Sequence, residues 1–268
     1  MNKTIVITGS AKGFGYEMAK CFKKYNYNIM LSDINEEALN NAKQTLESMD
    51  GEGKVDYCLA DVRNYEQLEL LWQKAVDSFG RVDVWINNAG VNQPQKAIYE
   101  LTKQEMDFVL DIDLHGTVYG SNIAFKNMQK QNFGQIYNVE GYGSNDATML
   151  GLSIYGTGKR AITYFTRALA KESKTLKSNV LVGRITPGIM ITDFITSANG
   201  KKGEIVLSEK TKKVYNILGD YPQTIAEFMV KKIVKNKKND VKFAWLTNAR
   251  AFRRFMFAGF SKRNFFEK

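Results

Sequence analysis

Histidine, cysteine and long apolar runs are all scarce in this chain: 268 residues include one histidine and two cysteines. His115, Cys21 and Cys58 are far apart, so no set of ligands has metal-site spacing and no metal is expected. A Ser-His-Asp hydrolase would have to use His115, which no nucleophile elbow accompanies, so a structural role is expected for it. Cys21 falls in a helical pattern and Cys58 in a strand pattern, and both read as small core residues rather than a disulfide. No apolar run is long enough to cross a bilayer. Met1-Asn2-Lys3 leads straight into the strand-like Thr4-Ile5-Val6-Ile7-Thr8, without a signal-peptide pattern. A soluble cytoplasmic protein is expected. Acidic residues are outnumbered, and the net charge is +10. The lysines at 201, 202, 210, 212, 213, 231, 232, 235, 237 and 238 alternate with Glu and apolar residues. No nucleic-acid motif accompanies them, so they read as solvated helix faces and no nucleic-acid partner is expected.

What is present is an unbroken alternation. The hydrophobic fraction of 44% is ordinary for a globular chain of this length. Strands are expected at 4–8, 28–33, 55–60, 82–86, 135–139, 178–185 and 241–246. Helices are expected from 14 to about 25, at 36–49, 64–79, 103–130 and 223–236, and in a long run after Tyr155. Strands alternating with helices predict a parallel, doubly wound α/β sheet of about seven strands with helices on both faces. No linker or repeat divides residues 1–247, so one domain is expected, followed by a basic aromatic tail at 248–268. The segment 188–222 is polar and irregular by comparison, a natural substrate lid.

Two constellations carry chemistry. Thr8-Gly9-Ser10-Ala11-Lys12-Gly13-Phe14-Gly15 joins the first strand to the first helix. Glycines there permit a tight turn and let a pyrophosphate approach backbone N–H groups at the helix N-terminus. The second strand ends in Asp33, where a carboxylate would accept hydrogen bonds from an adenosine ribose. The other constellation is Tyr155 and Lys159, four residues apart on one helix face. A phenol ordinarily titrates near ~10, and a neighbouring ammonium lowers that value, making the pair an acid/base device.

With these motifs in order, the chain resembles the short-chain dehydrogenase/reductase family over roughly residues 3–247. Thr8-Gly9-x-x-x-Gly13-x-Gly15 looks like the family's cofactor loop, and Asp61-Val62 its adenine-holding pair. Asn87-Asn88-Ala89-Gly90 matches the segment after the fourth strand that supports the sheet and lines the cofactor. Tyr155 and Lys159 match the catalytic pair, and Pro187-Gly188-Ile189 with Thr192 the turn that holds the nicotinamide carboxamide. The resemblance implies a Rossmann-type domain and an NAD(P)-dependent oxidoreductase that interconverts a secondary alcohol and a ketone as a homodimer or homotetramer. In it the tyrosine exchanges the proton at the substrate oxygen. Asp33 would repel a 2′-phosphate and favours NAD(H), while Lys12 is the kind of residue that accompanies NADP(H).

Two departures stand out. Ile112-Asp113-Leu114-His115-Gly116 places Asp113 where the family has an Asn that supports a proton relay. Asn138-Val139-Glu140-Gly141-Tyr142-Gly143-Ser144 places Glu-Gly where the catalytic serine is expected, and resembles locally the chlorophyll b reductase branch. Ser144, on its Gly-containing turn, is then the candidate replacement donor. In the tail, Arg250, Arg253 and Arg254 share one helical face and Phe252, Phe255 and Met256 the other. Such a helix packs on the domain or a second subunit, or meets anionic lipid. Three functions follow: a soluble oxidoreductase, a membrane-peripheral one acting on a lipid-like or polycyclic substrate, or a cofactor-binding protein with weak catalysis.

Overall fold

The computed structural model describes residues 2–266; Met1 and the last two residues of the 248–268 tail lie outside it. Seven strands, β1 (Thr4–Thr8), β2 (Asn28–Asp33), β3 (Val55–Leu59), β4 (Val84–Asn87), β5 (Gly134–Val139), β6 (Val180–Thr186) and β7 (Val241–Ala244), form one sheet in the order β3-β2-β1-β4-β5-β6-β7. Every pairing is parallel. The order reverses between β1 and β4, and in such sheets ligands bind outside the carboxyl ends of the strands at that reversal.

The covering helices follow from the period-two alternation of the strands. Ile5 and Ile7 face one side, with Phe14 and Met18 of α1 (Gly13–Lys24), Leu39 and Leu46 of α2 (Glu36–Glu47), and Ile225 and Met229 of α8 (Pro222–Val234). Val6 and Trp85 face the other, with Leu68 and Trp72 of α3 (Tyr65–Phe79) and Ile123 and Met128 of α5 (Gly116–Gln131). α6 (Ser153–Thr175) closes that face over β6 through Leu169 and Val182. α3 shows its local logic plainly: Asn64 caps its first turn and Gly80, at φ 82°, ends it in the left-handed region.

Two expectations change, and the tail takes one of its expected alternatives. The single helix expected over 103–130 is α4 (Lys103–Leu110), one π turn (Asp111–His115) and α5. Periodicity could not show this, because one inserted residue shifts the helical phase only locally. The segment 188–222 is less irregular than expected: it carries α7 (Glu209–Leu218) and a small apolar cluster of Ala198, Ile205 and Leu207. In the tail, α9 (Asn248–Met256) packs on the domain by its arginines: Arg250 Nη1 donates to the Trp245 carbonyl at 2.6 Å and Arg254 Nη1 to that of Leu218 at 2.9 Å. Phe252, Phe255, Met256 and Phe257 are exposed. Among the described residues, no helix is long and apolar enough to cross a membrane.

Candidate active site

The turn after β1 is held by close backbone approaches. Gly9 sits at φ 62°, and a Cβ there would lie 2.7 Å from Ala89 Cα. Asn88 Nδ2 donates to the Thr8 and Gly9 carbonyls, both at 2.9 Å, while Thr8 Oγ1 accepts from the N–H groups of Asn88 and Ala89. The segment 87–90 thus fixes the Gly-rich turn from the next strand across the reversal. Gly13, at φ 63°, has nothing within 4 Å of where its side chain would be. Lys12 offers α1 no side-chain cap, and the first turn has no acid, so its N–H groups and positive dipole end face that open space. Such a cradle fits a pyrophosphate.

Around it, Ser10 is buried, donating to the Ile7 carbonyl at 2.8 Å and accepting from Ser32 N–H, so its hydroxyl braces the turn. Phe14 is buried beneath the turn and Gly15 lies against Asn88 and Gly9. Asp33 stands half-buried at the end of β2, accepting from Ala11 N–H at 3.3 Å and Ile34 N–H at 2.9 Å; Lys12 is exposed. Asp61 is held by Arg63, whose hydrogen bonds depress the carboxyl pKa despite partial burial. Val62 packs so closely on Gly116 that a Cβ there would lie 2.6 Å from Val62 Cγ2.

The second half of the site lies at the ends of β4 and β5. Tyr155 and Lys159 both point inward from α6 and are buried. A Cβ on Gly141 would overlap the Tyr155 hydroxyl, and one on Gly90 would lie 3.4 Å from both Lys159 Nζ and Asp113 Oδ1. Two glycines therefore let the main chain pack directly against one tyrosine, one lysine and one aspartate. Asp113 lies in the π turn, fully buried, with Oδ1 accepting from Val91 N–H at 2.7 Å and Oδ2 2.8 Å from Lys159 Nζ. Tyr155 N–H donates to Gln93 Oε1 at 2.7 Å, and the Phe194 ring packs 6.0 Å from the phenol.

This geometry changes the expected electrostatics. Burial pushes the Tyr155 phenol up to about 12; Lys159 pulls it down, but Asp113 pushes it up again. The Asp113 carboxyl is itself raised by burial, against the pull of Lys159. Burial works to lower the Lys159 pKa, and the Asp113 carboxylate outweighs it. Lys159 pulls the phenol in the expected direction, but burial, with Asp113 adding to it, outweighs that pull.

Ser144 is engaged within its own loop and with α6. Its Oγ accepts from Gly141 N–H at 3.1 Å and donates to the Lys159 carbonyl at 3.3 Å, stitching the loop to α6. Its one O–H thus donates to α6 while its oxygen accepts from the loop. Glu140 is engaged too: its oxygens accept from Thr163 Oγ1 at 2.8 Å and Thr186 Oγ1 at 2.6 Å, with Lys242 Nζ at 3.5 Å. His115 is exposed, 2.9 Å from Asp111 and stacked on Tyr119.

On the far side, the loop leaving β6 has Pro187 buried and Gly188 at φ 77°, where a Cβ would meet Leu246 at 2.7 Å. Ile189 and Thr192 follow, Thr192 opening a short turn at Asp193–Thr196. Sequence reading missed Gln93, and it noticed Glu140 without its partners, because both residues are buried by groups distant in sequence. It also missed the buried net in which Asn87 Nδ2 donates to Ser121 Oγ (2.9 Å) and Asn138 Oδ1 (2.8 Å) and joins β4 to β5. The Asn-Asn pair after β4 was the one visible signal for that net.

Residues 3–203 match the family model described as short chain dehydrogenase. Chlorophyll(ide) b reductase of Oryza sativa subsp. japonica is 29% identical over 232 residues, covering 85% of this chain and 66% of that protein, so the chain spans just under two thirds of its length. A 3-oxoacyl-[acyl-carrier-protein] reductase of Chlamydia muridarum is 31% identical over 195 residues, covering 72% of this chain and 76% of that protein. The alcohol dehydrogenase of Thermococcus sibiricus complexed with 5-hydroxy-NADP superposes with a TM-score of 0.76 at 22% identity, covering 91% of this chain and 96% of that one. A parallel sheet that reverses beside a Gly-rich turn, with a buried Tyr-Lys pair at its carboxyl edge, is thus matched in sequence over three quarters of the chain, which belongs to the short-chain dehydrogenase/reductase family of NAD(P)-dependent oxidoreductases.

Proposed function

We propose that the chain reduces a ketone to a secondary alcohol, reversibly, with Tyr155 as the proton donor. The observation that carries this reading is the burial of Tyr155, Lys159 and Asp113 side by side, with the main chain at Gly90 and Gly141 packed against them. Burial keeps the Tyr155 phenol protonated at neutral pH, so a proton is present to pass to an oxygen gaining negative charge. Gly141 lets the loop after β5 pack directly against that hydroxyl, and Ser144 holds the loop in place. Asp113 offsets part of the Lys159 charge beside the phenol. The Chlamydia relative, by its name a reductase of a 3-oxo group, supports a ketone substrate class.

A nicotinamide dinucleotide supplies the hydride when bound. Gly9, Ser10, Lys12, Gly13, Phe14 and Gly15 would hold its pyrophosphate, Asp33 its adenosine ribose, and Asp61 and Val62 its adenine. Asn88, Ala89 and Gly90 would line it toward Tyr155 and Lys159, and Pro187, Gly188, Ile189 and Thr192 would hold the carboxamide. Asp33 favours NAD(H), since a carboxylate at the end of β2 accepts from a ribose hydroxyl and repels a 2′-phosphate; exposed Lys12 is the feature that admits NADP(H). Residues 188–222, which lay Phe194 against Tyr155, serve as the substrate lid.

A second reading rests on the tail: Phe252, Phe255, Met256 and Phe257 face outward beside exposed Arg253 and Lys262, the composition of an interfacial helix on anionic lipid. It would bring a lipid-like or polycyclic substrate to the same chemistry. Cytoplasmic localisation and a homodimer or homotetramer complete the reading. A panel of ketones, including apolar and polycyclic ones, is to be screened with NADH and NADPH by following absorbance. Tyr155→Phe should abolish most turnover while dinucleotide affinity holds. Near-native activity in that variant, or tighter binding of NADPH than NADH, would overturn the corresponding assignment.

A further inference from the structure

The tail adds more than a surface helix. Asp220, between α7 and α8, is only 8% exposed, and its carboxylate receives three donors. Oδ2 accepts from Trp245 Nε1 at 2.6 Å and lies 2.7 Å from Arg254 Nη1; Oδ1 lies 2.6 Å from Arg263 Nη2. The same arginines cover the carbonyl end of α7. Arg254 donates to the Leu218 carbonyl at 2.9 Å, and Arg263 to those of Ile217, at 3.2 Å, and Gly219. Two guanidinium groups against one carboxylate leave one positive charge over, which the negative end of the α7 dipole and its unpaired carbonyls answer.

Asp220 is also where the loop after β6 is tied. Its N–H donates to the Ile189 carbonyl at 3.1 Å, and its carbonyl accepts from Ile191 N–H at 3.0 Å. Among the described residues, the main-chain bonds that leave residues 189–191 for another element go to Asp220. Gly219 is pressed against Ile191, and Leu246, just before α9, lies under Gly188. Tail, Asp220 and loop thus form one connected body. Phe265 strengthens it, with its N–H on Asn216 Oδ1 at 2.9 Å and its ring against Tyr221 at 5.0 Å.

We infer that Arg254, Arg263 and Asp220 are positioning residues for the dinucleotide: the C-terminal segment clamps the 187–192 loop in the shape that receives the nicotinamide half. This rests on the assignment of that loop to the carboxamide made above. A loop tied at one residue, whose side chain is itself held by two part-buried ion pairs, keeps its binding arrangement populated before ligand arrives. Releasing the clamp lowers that population, and apparent affinity falls in proportion. The adenosine half is bound by β1, β2 and α1, none of which the clamp touches.

The test uses the full chain and two probes, NADH and ADP-ribose, the second lacking the nicotinamide. In Arg254→Ala/Arg263→Ala, NADH affinity should fall on the order of tenfold while ADP-ribose affinity holds within about twofold, and Arg254→Lys/Arg263→Lys should recover part of the loss. Asp220→Asn keeps the Trp245 bond and the backbone bridge, and covers the case in which the double variant does not fold. Equal weakening of both probes, or no weakening of NADH, overturns the clamp. Gly188→Val, which strains the loop directly, separates the two failures. If Gly188→Val weakens NADH selectively and the arginine and Asp220 variants do not, the loop assignment stands and the clamp falls. If none does, the loop assignment falls and takes the clamp with it.

Discussion

Asp113→Asn tests the electrostatics of the site at its most unusual residue. The change keeps the shape and leaves an oxygen for Val91 N–H, but removes the negative charge 2.8 Å from Lys159 Nζ. The carboxylate that raises the Tyr155 pKa is then gone, which leaves the pull of the lysine ammonium unopposed. The lysine nitrogen lies 5.4 Å from the centre of the Tyr155 ring. A full unit charge at that distance is worth about 3 kcal/mol at an effective dielectric constant of about 20, or about two pKa units. Since Asp113 offsets the lysine only in part, the phenol should fall from about 12 by about one to two units. Proton donation in reduction needs the protonated phenol, so the alkaline limb of activity should move to lower pH by the same amount. A direct assay needs no substrate: phenolate absorbance of Asp113→Asn is titrated against Asp113→Asn/Tyr155→Phe, with circular dichroism to mark where the fold persists. Uncovering a buried lysine should also destabilise the protein, by up to about 3–5 kcal/mol, the range for breaking a buried pair. If no tyrosine titrates earlier in Asp113→Asn than in the unmodified chain, the account of this site is wrong.

Ser144→Ala should lower turnover less than about tenfold and stability by about 1 kcal/mol, because it removes a loop-to-helix stitch. A hundredfold loss of turnover at unchanged stability would restore Ser144 as an oxyanion donor. Glu140→Ala should lower the urea-unfolding free energy by about 3 kcal/mol, since two buried hydroxyls and Lys242 lose their acceptor; a loss below about 1 kcal/mol would show the cluster to be idle. Stability should also fall steeply in alkali. Burial raises Tyr27 and Tyr155 to about 12 and Cys21 to about 11. Below the unfolded values the folded state keeps the full contribution of these groups; as pH rises, the unfolded chain loses its protons first and stability drains away through the folded values. Thermal melting between about pH 9 and pH 12, with Tyr27→Phe as the blunted control, checks the sign. A flat melting temperature across that window would refute it.

The elements and motifs legible in the sequence are those set by local chemistry. Ile5 and Ile7 alternate with Val6 because a strand has a period of two, and Phe14, Met18 and Cys21 repeat because a helix does. Gly9 and Gly13 stand out because few other residues tolerate their positive φ, and Tyr155 and Lys159 share a face through spacing alone. Those regularities sufficed for the parallel sheet, the cradle after β1 and the inward-facing pair. Partner choice was different. Ser144 had several acceptors and donors within reach along the chain, and only the packing of its loop on α6 turned it to Gly141 and the Lys159 carbonyl. The arginine face of α9 had the same pattern as a surface helix until Asp220 and the end of α7, more than thirty residues earlier, met it. Lys159 and Asp113 are 46 residues apart, and their pairing depends on a π turn that no periodicity reveals. Backbone conformation is decided by near neighbours, so sequence alone determines it well. The charge a buried group feels is decided by what the fold brings within a few ångströms, and that belongs to the tertiary structure.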